Sequence, residues 1–502
     1  MATEAKTADV GTQVGTLEVD EFANVLKQSF KPRTERAETE VENAVNTLVR
    51  QALKDSSLVK ADVLDTIEEM IARLDQKLSA QMNEVLHAPE FQQIESAWRG
   101  LRHLVFNSET DANLKIRVMN VSKNELYRNL RLYPDAKWDQ SPLFKQIYEY
   151  EFGQLGGEPY GTLICDYSFS HAPTDIQLMR DLSKVAAAAH CPLFAGAHPH
   201  LLGMDKWTEL SNPRDIGKLF DTPEYAAWKG LRDQDDSRYL GLCMPRVLAR
   251  IPYGAKSEPV EEFAFEEDTD GHTGDKYGWM NAAYAMGVNI NRAFKEYGWG
   301  TRIRGVQSGG EVINLPTHTF PTDDGGVDLK CPTEIAISDR REHELAKSGL
   351  IPIIHRKNTD KAAFIGAQSV YKPKKYFGEK GVDATASDNL SARLPYMFAV
   401  SRFAHYLKCM VRDKVGSYKE QDELAKWLQT WINEYVDPNP AVSSEAQKAR
   451  KPLAAAKVEV FPNEENPGYY NARFYLRPHF QLEAMDIGLS LVSRLPAPST
   501  AA

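Results

Sequence analysis

The sequence predicts an α/β protein, on three observations. Between residues 160 and 195 a run rich in β-forming residues, an amphipathic helix and a short apolar run follow one another, and this order favours parallel strand pairing. Upstream of residue 106, apolar residues recur at helical spacing, which predicts several helices before this body. The C-terminal part combines amphipathic helices with a strictly alternating segment, which predicts a further α/β unit there.

Length, charge and cysteine usage narrow the class of protein. The chain has 502 residues, 42% of them hydrophobic, and can bury a large core without disulfides or metals. Its formal net charge is -10, whereas a protein that binds DNA or RNA needs a basic surface, so no nucleic-acid partner is expected. Five isolated cysteines, an N-terminus without a signal-like apolar core and the lack of a bilayer-spanning apolar run predict a soluble cytosolic protein without membrane insertion.

The N-terminus is expected to be disordered over residues 1–16, which carry few bulky apolar groups. An isolated helix is expected within residues 17–32, since Asp20 is a suitable N-cap and Pro32 a stop. Its apolar face comprises Phe22, Val25, Leu26 and Phe30. A helix of about three turns is marginal alone in water, so this face packs either on its own chain or on a partner.

Residues 33–87 are expected to form a helical segment. Alternating spacings of three and four, typical of a coiled-coil-like seam, separate the apolar residues Leu64, Ile67, Ile71, Leu74 and Leu78. Such a seam fits either an intramolecular core or a partner helix. A further helix from Pro89 is expected to bury Phe91, Ile94, Trp98, Leu101 and Leu104.

Residues 88–380 are expected to form the α/β body, and residues 381–502 a separate C-terminal domain. In the body, the alternating residues Leu114, Ile116 and Val118 predict a strand. In the C-terminal domain, two alternating strands predict a hairpin whose apolar residues are Phe474, Leu476, Phe480 and Leu482, then Ile487, Leu489 and Leu491. Pro478 cannot donate to a ladder, so the first strand is expected at an edge, where it could pair with another subunit.

Each catalytic or metal-binding motif that the sequence suggests lacks a residue that the motif requires. His343 and Glu344 open an HExxH pattern, but Lys347 occupies the second histidine position and cannot ligate zinc. No GxxxxGK[ST] phosphate loop and no nucleophile elbow occurs. His198 and His200 could bind a metal, but Pro199 between them favours ordinary buried or surface histidines. No cofactor or metal is therefore expected, and a structural or interaction protein is favoured over an enzyme.

Several long segments carry a family resemblance. They are residues 89–101, residues 148–161, residues 228–246, and the C-terminal runs 474–483 and 491–496. Among them are the runs Glu-Ser-Ala-Trp-Arg-Gly-Leu, Tyr-Glu-Tyr-Glu-Phe-Gly-Gln-Leu-Gly-Gly and Phe-Tyr-Leu-Arg-Pro-His-Phe-Gln-Leu-Glu. Together they resemble the large subunit of the contractile sheath of the bacterial type VI secretion system, the TssC or VipB family, over residues 17–496.

The resemblance implies a contractile tail-sheath-like fold and a structural role without catalysis. It implies a heterodimer with a small sheath subunit of the TssB/VipA type, helical self-assembly around an inner tube of the Hcp type, and contraction that propels tube and effectors into target cells. It further implies a bacterial cytoplasmic location, anchoring through a baseplate to the envelope complex, and recycling by a AAA+ unfoldase of the ClpV type. A phage-like or extracellular contractile injector sheath, or an orphan α/β enzyme, remain the alternatives.

The resemblance also implies roles for particular residues. The unfoldase-recognition helix would comprise Leu17, Phe22, Val25, Leu26 and Phe30, and the seam within residues 33–87 would bind the small subunit. The C-terminal hairpin would pair with neighbouring subunits. An amphipathic helix expected over residues 419–436 is a candidate for facing the inner tube, through the charged residues Lys419, Glu420, Glu423 and Lys426.

Overall fold

The computed structural model describes residues 63–212, 215–269, 271–378, 381–414, 421–462 and 470–481, and also the single helical residues Arg36, Thr39, Asn43 and Thr47. The chain divides into two compact units. The first comprises the chain up to residue 99 with residues 247–280 and 315–334, and the second comprises residues 100–246, 281–314 and 335 onward. The expected disordered segment 1–16 and the expected helix within 17–32 lie outside the described residues, as do Lys419, Glu420, Leu482, Ile487, Leu489 and Leu491.

The helices in chain order are α1 (Val63–Leu86), α2 (Pro89–Phe106), α3 (Lys123–Arg131), α4 (Pro142–Phe144), α5 (Pro173–Ala188), α6 (Ile216–Leu219), α7 (Ala226–Arg232), α8 (Ala282–Tyr297), α9 (Asp339–Lys347), α10 (Gly381–Ser391), α11 (Leu394–Lys414), α12 (Gln421–Asn433) and α13 (Glu445–Arg450). The strands are β1 (Leu163–Phe169), β2 (Leu193–Ala197), β3 (Leu240–Met244), β4 (Val247–Leu248), β5 (Trp279–Met280), β6 (Glu311–Val312), β7 (Thr319–Pro321), β8 (Val327–Leu329), β9 (Ile351–His355), β10 (Ala362–Phe364), β11 (Leu453–Pro462) and β12 (Tyr470–Pro478).

A six-stranded mixed sheet forms the centre of the second unit, in the order β1-β2-β3-β9-β10-β6. The first four strands pair in parallel, and β10 is antiparallel to both of its neighbours. The predicted strand–helix–strand order is confirmed, since β1, α5 and β2 follow one another and the two strands lie side by side. The α/β class is therefore confirmed.

Both faces of this sheet are covered, as a parallel sheet requires. Every residue of β2 and β3 is buried. Leu193 packs in the core cluster that includes Ile176 and Leu182 of α5, whereas the next residue, Phe194, stacks on Phe398 of α11 at 6.0 Å. Successive strand residues thus point to opposite covered faces.

Close packing of α2 against α8 depends on Gly100. A β-carbon at this position would lie 2.3 Å from the ring of Tyr284, so any larger residue would displace that ring. Leu104 of α2 then packs with Tyr284 and Val288 of α8. The first unit has less regular structure: it contains α1, the short pairs β4–β5 and β7–β8, and a small cluster of Leu248, Tyr277 and Trp279.

The C-terminal helices and strands share one apolar cluster. Phe403 of α11, Leu428 and Ile432 of α12, and Leu453 and Val458 of β11 are buried together. The strand expected around Phe474 and Leu476 is present as β12 and pairs with β11, with Val458 opposite Phe474. The expected second strand around Ile487 lies outside the described residues. Pro478 ends β12, which agrees with the missing backbone donor of proline.

Two further expectations require correction. Residues 114–118 belong to no strand, because no described segment pairs with them. On α2, Leu104 is buried as expected, but Ile94 and Trp98 are 60% and 68% exposed, because no described part of the chain covers that face. Within the described ranges, no helix has the length and apolarity needed to cross a membrane.

Candidate functional site

The main candidate surface is an apolar stripe along α1 that the described residues leave half-exposed. Ile71, Leu74 and Leu78, expected to form a seam, project from one side of the helix and remain 41–47% exposed. Leu64 and Ile67 belong to the same helix, but their side chains lie outside what the structure describes. The spacing continues as Met82 and Val85, which are also exposed and which the sequence analysis missed. We call Ile71, Leu74, Leu78, Met82 and Val85 the α1 stripe.

The α1 stripe is an unusual surface for an isolated chain. Half-exposed apolar side chains at spacings of three and four form a continuous row on a helix, and such rows are normally buried against another element. On α1, only Met70 and Leu86 are fully buried among the side chains that the structure describes. The described residues thus leave this apolar row half-exposed.

Polar contacts join α1 to residues 264–268 of the same unit. The backbone N–H of Ala264 donates to Asp75 at 3.3 Å, and the N–H of Asp268 donates to the Asn83 amide oxygen at 2.9 Å. Between α1 and this segment runs a groove of about 770 Å³ whose acidic lining residues are Glu68, Asp75, Glu84, Glu266 and Asp268. A partner that fills this groove would need basic or hydrogen-bond-donating groups.

A buried ion-pair network holds α2 and the irregular segment 250–267 of the first unit together. Arg250 donates to both carboxylate oxygens of Glu267, at 2.6 and 3.0 Å, and to Glu95 of α2 at 2.6 Å. Its guanidinium also lies 4.6 Å from the ring centroid of Tyr253. Burial alone would lower the pKa of Arg250. The hydrogen bonds and charges of Glu267 and Glu95 outweigh burial and raise this pKa above its ordinary value.

The C-terminal hairpin of β11 and β12 has two edges that differ. Gln429 of α12 accepts a bond from the N–H of Val458 at 2.8 Å and donates to the carbonyl of Ala456 at 3.2 Å. Gln421 donates to the carbonyl of Val460 at 2.7 Å. These side chains occupy the backbone groups on the outer edge of β11. Beyond β12, the described residues place no strand.

The outer edge of β12, beside which the described residues place no strand, presents a defined set of backbone groups. We call it the open edge of β12. In an antiparallel ladder, opposed residues either both bond to each other or both point outward. Ala456, Val458 and Val460 point outward to the glutamines, so their partners in β12 also point outward; these are Leu476, Phe474 and Ala472. Phe474 and Leu476 meanwhile pack their side chains on the C-terminal cluster, and the expected hairpin residue Phe480 is 69% exposed.

The remaining predicted residues are placed separately from these two surfaces. Glu423 and Lys426 lie on the exposed side of α12, opposite the buried Leu428. His198 and His200 have ring centroids 4.4 Å apart, and His200 lies 3.6 Å from the exposed Asp205 carboxylate. Among the described side chains, no group of three or more His, Cys, Asp or Glu is arranged to hold a metal ion.

Comparison with known proteins assigns both parts of the chain to one family. Residues 68–371 match the tail sheath N-terminal domain of the EvpB/VC_A0108 family, VipB. Residues 383–495 match its tail sheath gpW/gp25-like domain. The chain belongs to the VipB tail sheath family. It is also 61% identical over 485 residues to a protein of Pseudomonas aeruginosa named type VI secretion system sheath protein TssC1, covering 97% of each chain.

Membership of the VipB family confirms the resemblance drawn from the sequence and, with it, a type VI secretion sheath protein of α/β class. The roles of individual residues stay predictions. The structure brings Ile71, Leu74 and Leu78 onto one exposed row, and Phe474 and Leu476 onto the strand with the open edge. The edge-capping glutamines were missed, because no periodicity distinguishes a glutamine that bonds a strand edge from one that faces water.

Proposed function

We propose that this chain is the large structural subunit of a type VI secretion contractile sheath. It pairs with a small sheath subunit, polymerises with it around an inner tube, and contracts to drive the tube and its effectors into a target cell. The single observation that carries the pairing is the α1 stripe, a row of five half-exposed apolar side chains without a described cover. The family assignment supports the sheath role.

The energetics of the α1 stripe favour association. Covering a half-exposed aliphatic side chain removes apolar surface from water and contributes on the order of 1 kcal/mol. Five such residues along one helix can therefore offset a substantial part of the entropic cost of association. A partner helix with a matching apolar row, and basic groups towards Glu68, Asp75 and Glu84, fits this surface.

The pairing is tested by co-expression with the cognate small subunit, followed by affinity purification and electron microscopy. We expect a stable complex and hollow tubes when both chains are present, and no tubes from this chain alone. A chain that remains monomeric beside the small subunit, or that forms tubes without it, would refute the heterodimer. A monomer that turns over a metabolite would instead favour the orphan enzyme.

Polymerisation is proposed to use the open edge of β12, with an extended segment of a neighbouring subunit adding to it. The strand expected around Ile487, Leu489 and Leu491 is the candidate donor from another copy. Backbone ladders of this kind connect subunits while their bodies rotate, which suits a lattice that contracts without breaking. The capped edge of β11 supports the choice of β12 as acceptor.

A proline at Ala472 tests the edge selectively. The Ala472 amide points away from β11, so Ala472→Pro removes no hydrogen bond within the hairpin but blocks an added strand. We expect heterodimers with normal thermal stability but no long sheaths, whereas the control Ala472→Val assembles normally. Long sheaths formed by Ala472→Pro would contradict the assignment. Deletion of residues 487–495 should likewise leave heterodimer formation intact but prevent long sheaths.

The other partners follow from the same proposal. Glu423 and Lys426 on the exposed side of α12, with Lys419 and Glu420, are candidates for the inner-tube contact. The segment with Leu17, Phe22, Val25, Leu26 and Phe30 is the candidate unfoldase contact, so Leu26→Asp should abolish unfoldase binding and sheath recycling. We further propose a cytoplasmic sheath attached at a baseplate, without catalysis of its own. ATP is then consumed by the unfoldase.

A further inference from the structure

The chain does not turn at the end of β12. Pro478 ends that strand, yet the N–H of the next residue, His479, donates to the carbonyl of Pro452 at 3.1 Å. The imidazole Nε2 of His479 also lies 3.0 Å from the carbonyl oxygen of Lys451. Both partners come directly before β11 in the sequence, so His479 extends the pairing with the β11 side beyond the end of β12.

Gln481, two residues further on, is held by three hydrogen bonds. Its backbone N–H donates to the Tyr396 hydroxyl at 2.9 Å, and its side-chain amide donates to the carbonyl of Thr301 at 3.0 Å. Its side-chain oxygen accepts from Nε of Arg304 at 2.8 Å. The backbone and the side chain of Gln481 are therefore both fixed, by the loop after α8 and by α11.

The partners of Gln481 are themselves well buried. Tyr396 lies in the first turn of α11 and Arg304 in the loop after α8, and each residue is only 6% exposed. The same loop is bonded to the central sheet, since the N–H of Gly305 donates to the carbonyl of Phe364 in β10 at 2.7 Å. Gln481 thus connects the chain that follows the hairpin to the centre of the second unit.

These bonds restrict where the chain can go after Gln481. Loops between neighbouring strands of a hairpin usually have about two to five residues, so a strand that closed on the open edge of β12 would turn directly after Pro478. His479 and Gln481 lie in that stretch and are bound to other elements. The donor strand expected around Ile487 lies six residues beyond Gln481, and its connection begins at Gln481 rather than at the end of β12.

We infer that Gln481 is a positioning residue for the donor strand. Its hydrogen bonds fix the point from which residues 482–496 leave the rest of the chain. This directs the strand to the open edge of another copy and disfavours closure on its own β12. The inference rests on the proposed polymerisation through that edge.

Without such an anchor, closure within one chain would compete with assembly. A short flexible connection gives a tethered segment an effective concentration on the order of millimolar at a site within reach, and almost none at a site that it cannot reach. The bonds of His479 and Gln481 reduce the free connection before Ile487 to residues 482–486 and place its start beside Arg304 and Tyr396. A donor held away from its own acceptor leaves both available to neighbouring subunits.

Residue-resolved amide hydrogen exchange tests where the donor strand adds. The amides of Ala472, Phe474 and Leu476 face the open edge, so we expect fast exchange in the unaltered heterodimer and at least tenfold slower exchange in assembled sheaths. Slow exchange already in the heterodimer would show that the edge is covered before polymerisation, which overturns the inference. Fast exchange in sheaths as well would refute polymerisation through β12 and the inference with it.

Gln481→Ala tests the anchor itself. The variant loses the bonds to Thr301 and Arg304 but keeps β12, so we expect normal binding of the small subunit, at least tenfold fewer sheaths, and at least tenfold slower exchange of the three edge amides in the heterodimer. Loss of local structure alone would speed that exchange, so the direction of the change distinguishes positioning from a merely structural role. Gln447→Ala alters an exposed glutamine of α13 and should behave like the unaltered chain.

Deletion of residues 487–495 in the Gln481→Ala variant identifies what covers the edge. If the chain's own donor strand closes on β12, the deletion restores fast exchange of the edge amides in the heterodimer. Exchange that stays slow after the deletion would overturn the inference.

The outcomes separate the role of Gln481 from polymerisation itself. Fast exchange of the edge amides in the Gln481→Ala heterodimer would remove the positioning role, whatever the yield of sheaths. If the unaltered sheaths still protect these amides, polymerisation through the open edge of β12 stands.

Discussion

Strand β2 buries its apolar residues, whereas helix α1 leaves a row of apolar residues half-exposed among the described residues. Every residue of β2 is buried, with Phe194 fully enclosed against Phe398. Along α1, the stripe from Ile71 to Val85 remains 39–50% exposed. Each element carries an apolar pattern that predicts burial, a continuous apolar run in β2 and spacings of three and four in α1, so local pattern alone does not distinguish their environments. What differs is whether the described residues supply a covering surface.

On the proposed pairing, this difference predicts that β2 residues stabilise the chain and that residues of the α1 stripe contribute to assembly. A substitution in β2 should lower the free energy of unfolding of the chain alone. A substitution in the α1 stripe should leave that free energy unchanged and weaken only the complex. The two effects are measurable on the same samples, by chemical denaturation and by binding to the small subunit.

The largest effect on stability is expected at the buried sheet. Phe194→Ala leaves a cavity between the sheet and Phe398, and should lower the free energy of unfolding by about 3–5 kcal/mol. Urea denaturation followed by tryptophan fluorescence measures the change. Phe194→Leu is the matched control and should cost clearly less. A loss below about 1 kcal/mol for Phe194→Ala would contradict the central position assigned to this ring.

A somewhat smaller effect is expected at the Arg250 network. Arg250→Met leaves the carboxylates of Glu95 and Glu267 without their cation, which should lower the free energy of unfolding by about 3 kcal/mol. The Arg250→Met, Glu267→Leu double variant removes one uncompensated charge together with the cation and should recover part of the loss. Equal stabilities of the single and double variants would show that the pair does not act as a unit.

An intermediate effect is expected from pH. Burial, together with Arg402, His190 and Lys408, lowers the pKa of His405 to about 4, below the ordinary histidine value of about 6.5. The unfolded chain therefore takes up this proton at a higher pH than the folded chain, so the stability present above pH 6.5 is lost as the pH falls towards 4. Between pH 7 and 5 the loss from this group is about 2 kcal/mol.

His405→Gln tests the pH effect, since glutamine can still donate to the Ala189 carbonyl that lies 2.8 Å from the imidazole Nε2. The variant should show a smaller difference in urea midpoint between pH 7 and pH 5 than the unaltered chain. An identical pH dependence in the two proteins would remove His405 as its source.

The smallest effect on stability, and the largest on assembly, is expected in the α1 stripe. Leu78→Glu should change the free energy of unfolding by less than about 0.5 kcal/mol, because the residue is 44% exposed, yet abolish small-subunit binding. Lys77→Glu puts the same side chain at an exposed position of α1 that belongs neither to the stripe nor to the groove beside it, and should bind normally. Normal binding by Leu78→Glu would mean that the stripe is not the pairing surface.

The sequence predicted the helices and the partly parallel sheet more accurately than it predicted which of their faces are buried. Apolar spacing identified which residues of α1 and α2 share a face, but not that Ile94 and Trp98 stay exposed, because periodicity is silent about what covers a face. Alternation identified β12 correctly. Its partner β11 begins Leu-Ala-Ala-Ala, which lacks the β-branched residues that mark a strand, so β11 was not predicted.

The segment of residues 114–118 shows the same limit of sequence patterns. The alternation of Leu114, Ile116 and Val118 is that of a strand, and the chain places the segment without pairing it to another described strand. A sequence indicates which secondary structure a segment favours, but not which part of which chain packs or pairs with it. The same holds for the α1 stripe, where the spacing predicted a seam and the described residues do not cover it.

The capping of β11 by Gln421 and Gln429 has a consequence for the topology of growth. The two glutamines close one edge of the hairpin, so in the proposed assembly the hairpin accepts a single added strand. A unit with one acceptor edge and one donor segment is bifunctional, and bifunctional units that join head to tail give unbranched arrays. A second acceptor edge would make each subunit a branch point, which the proposed contracting tube does not tolerate.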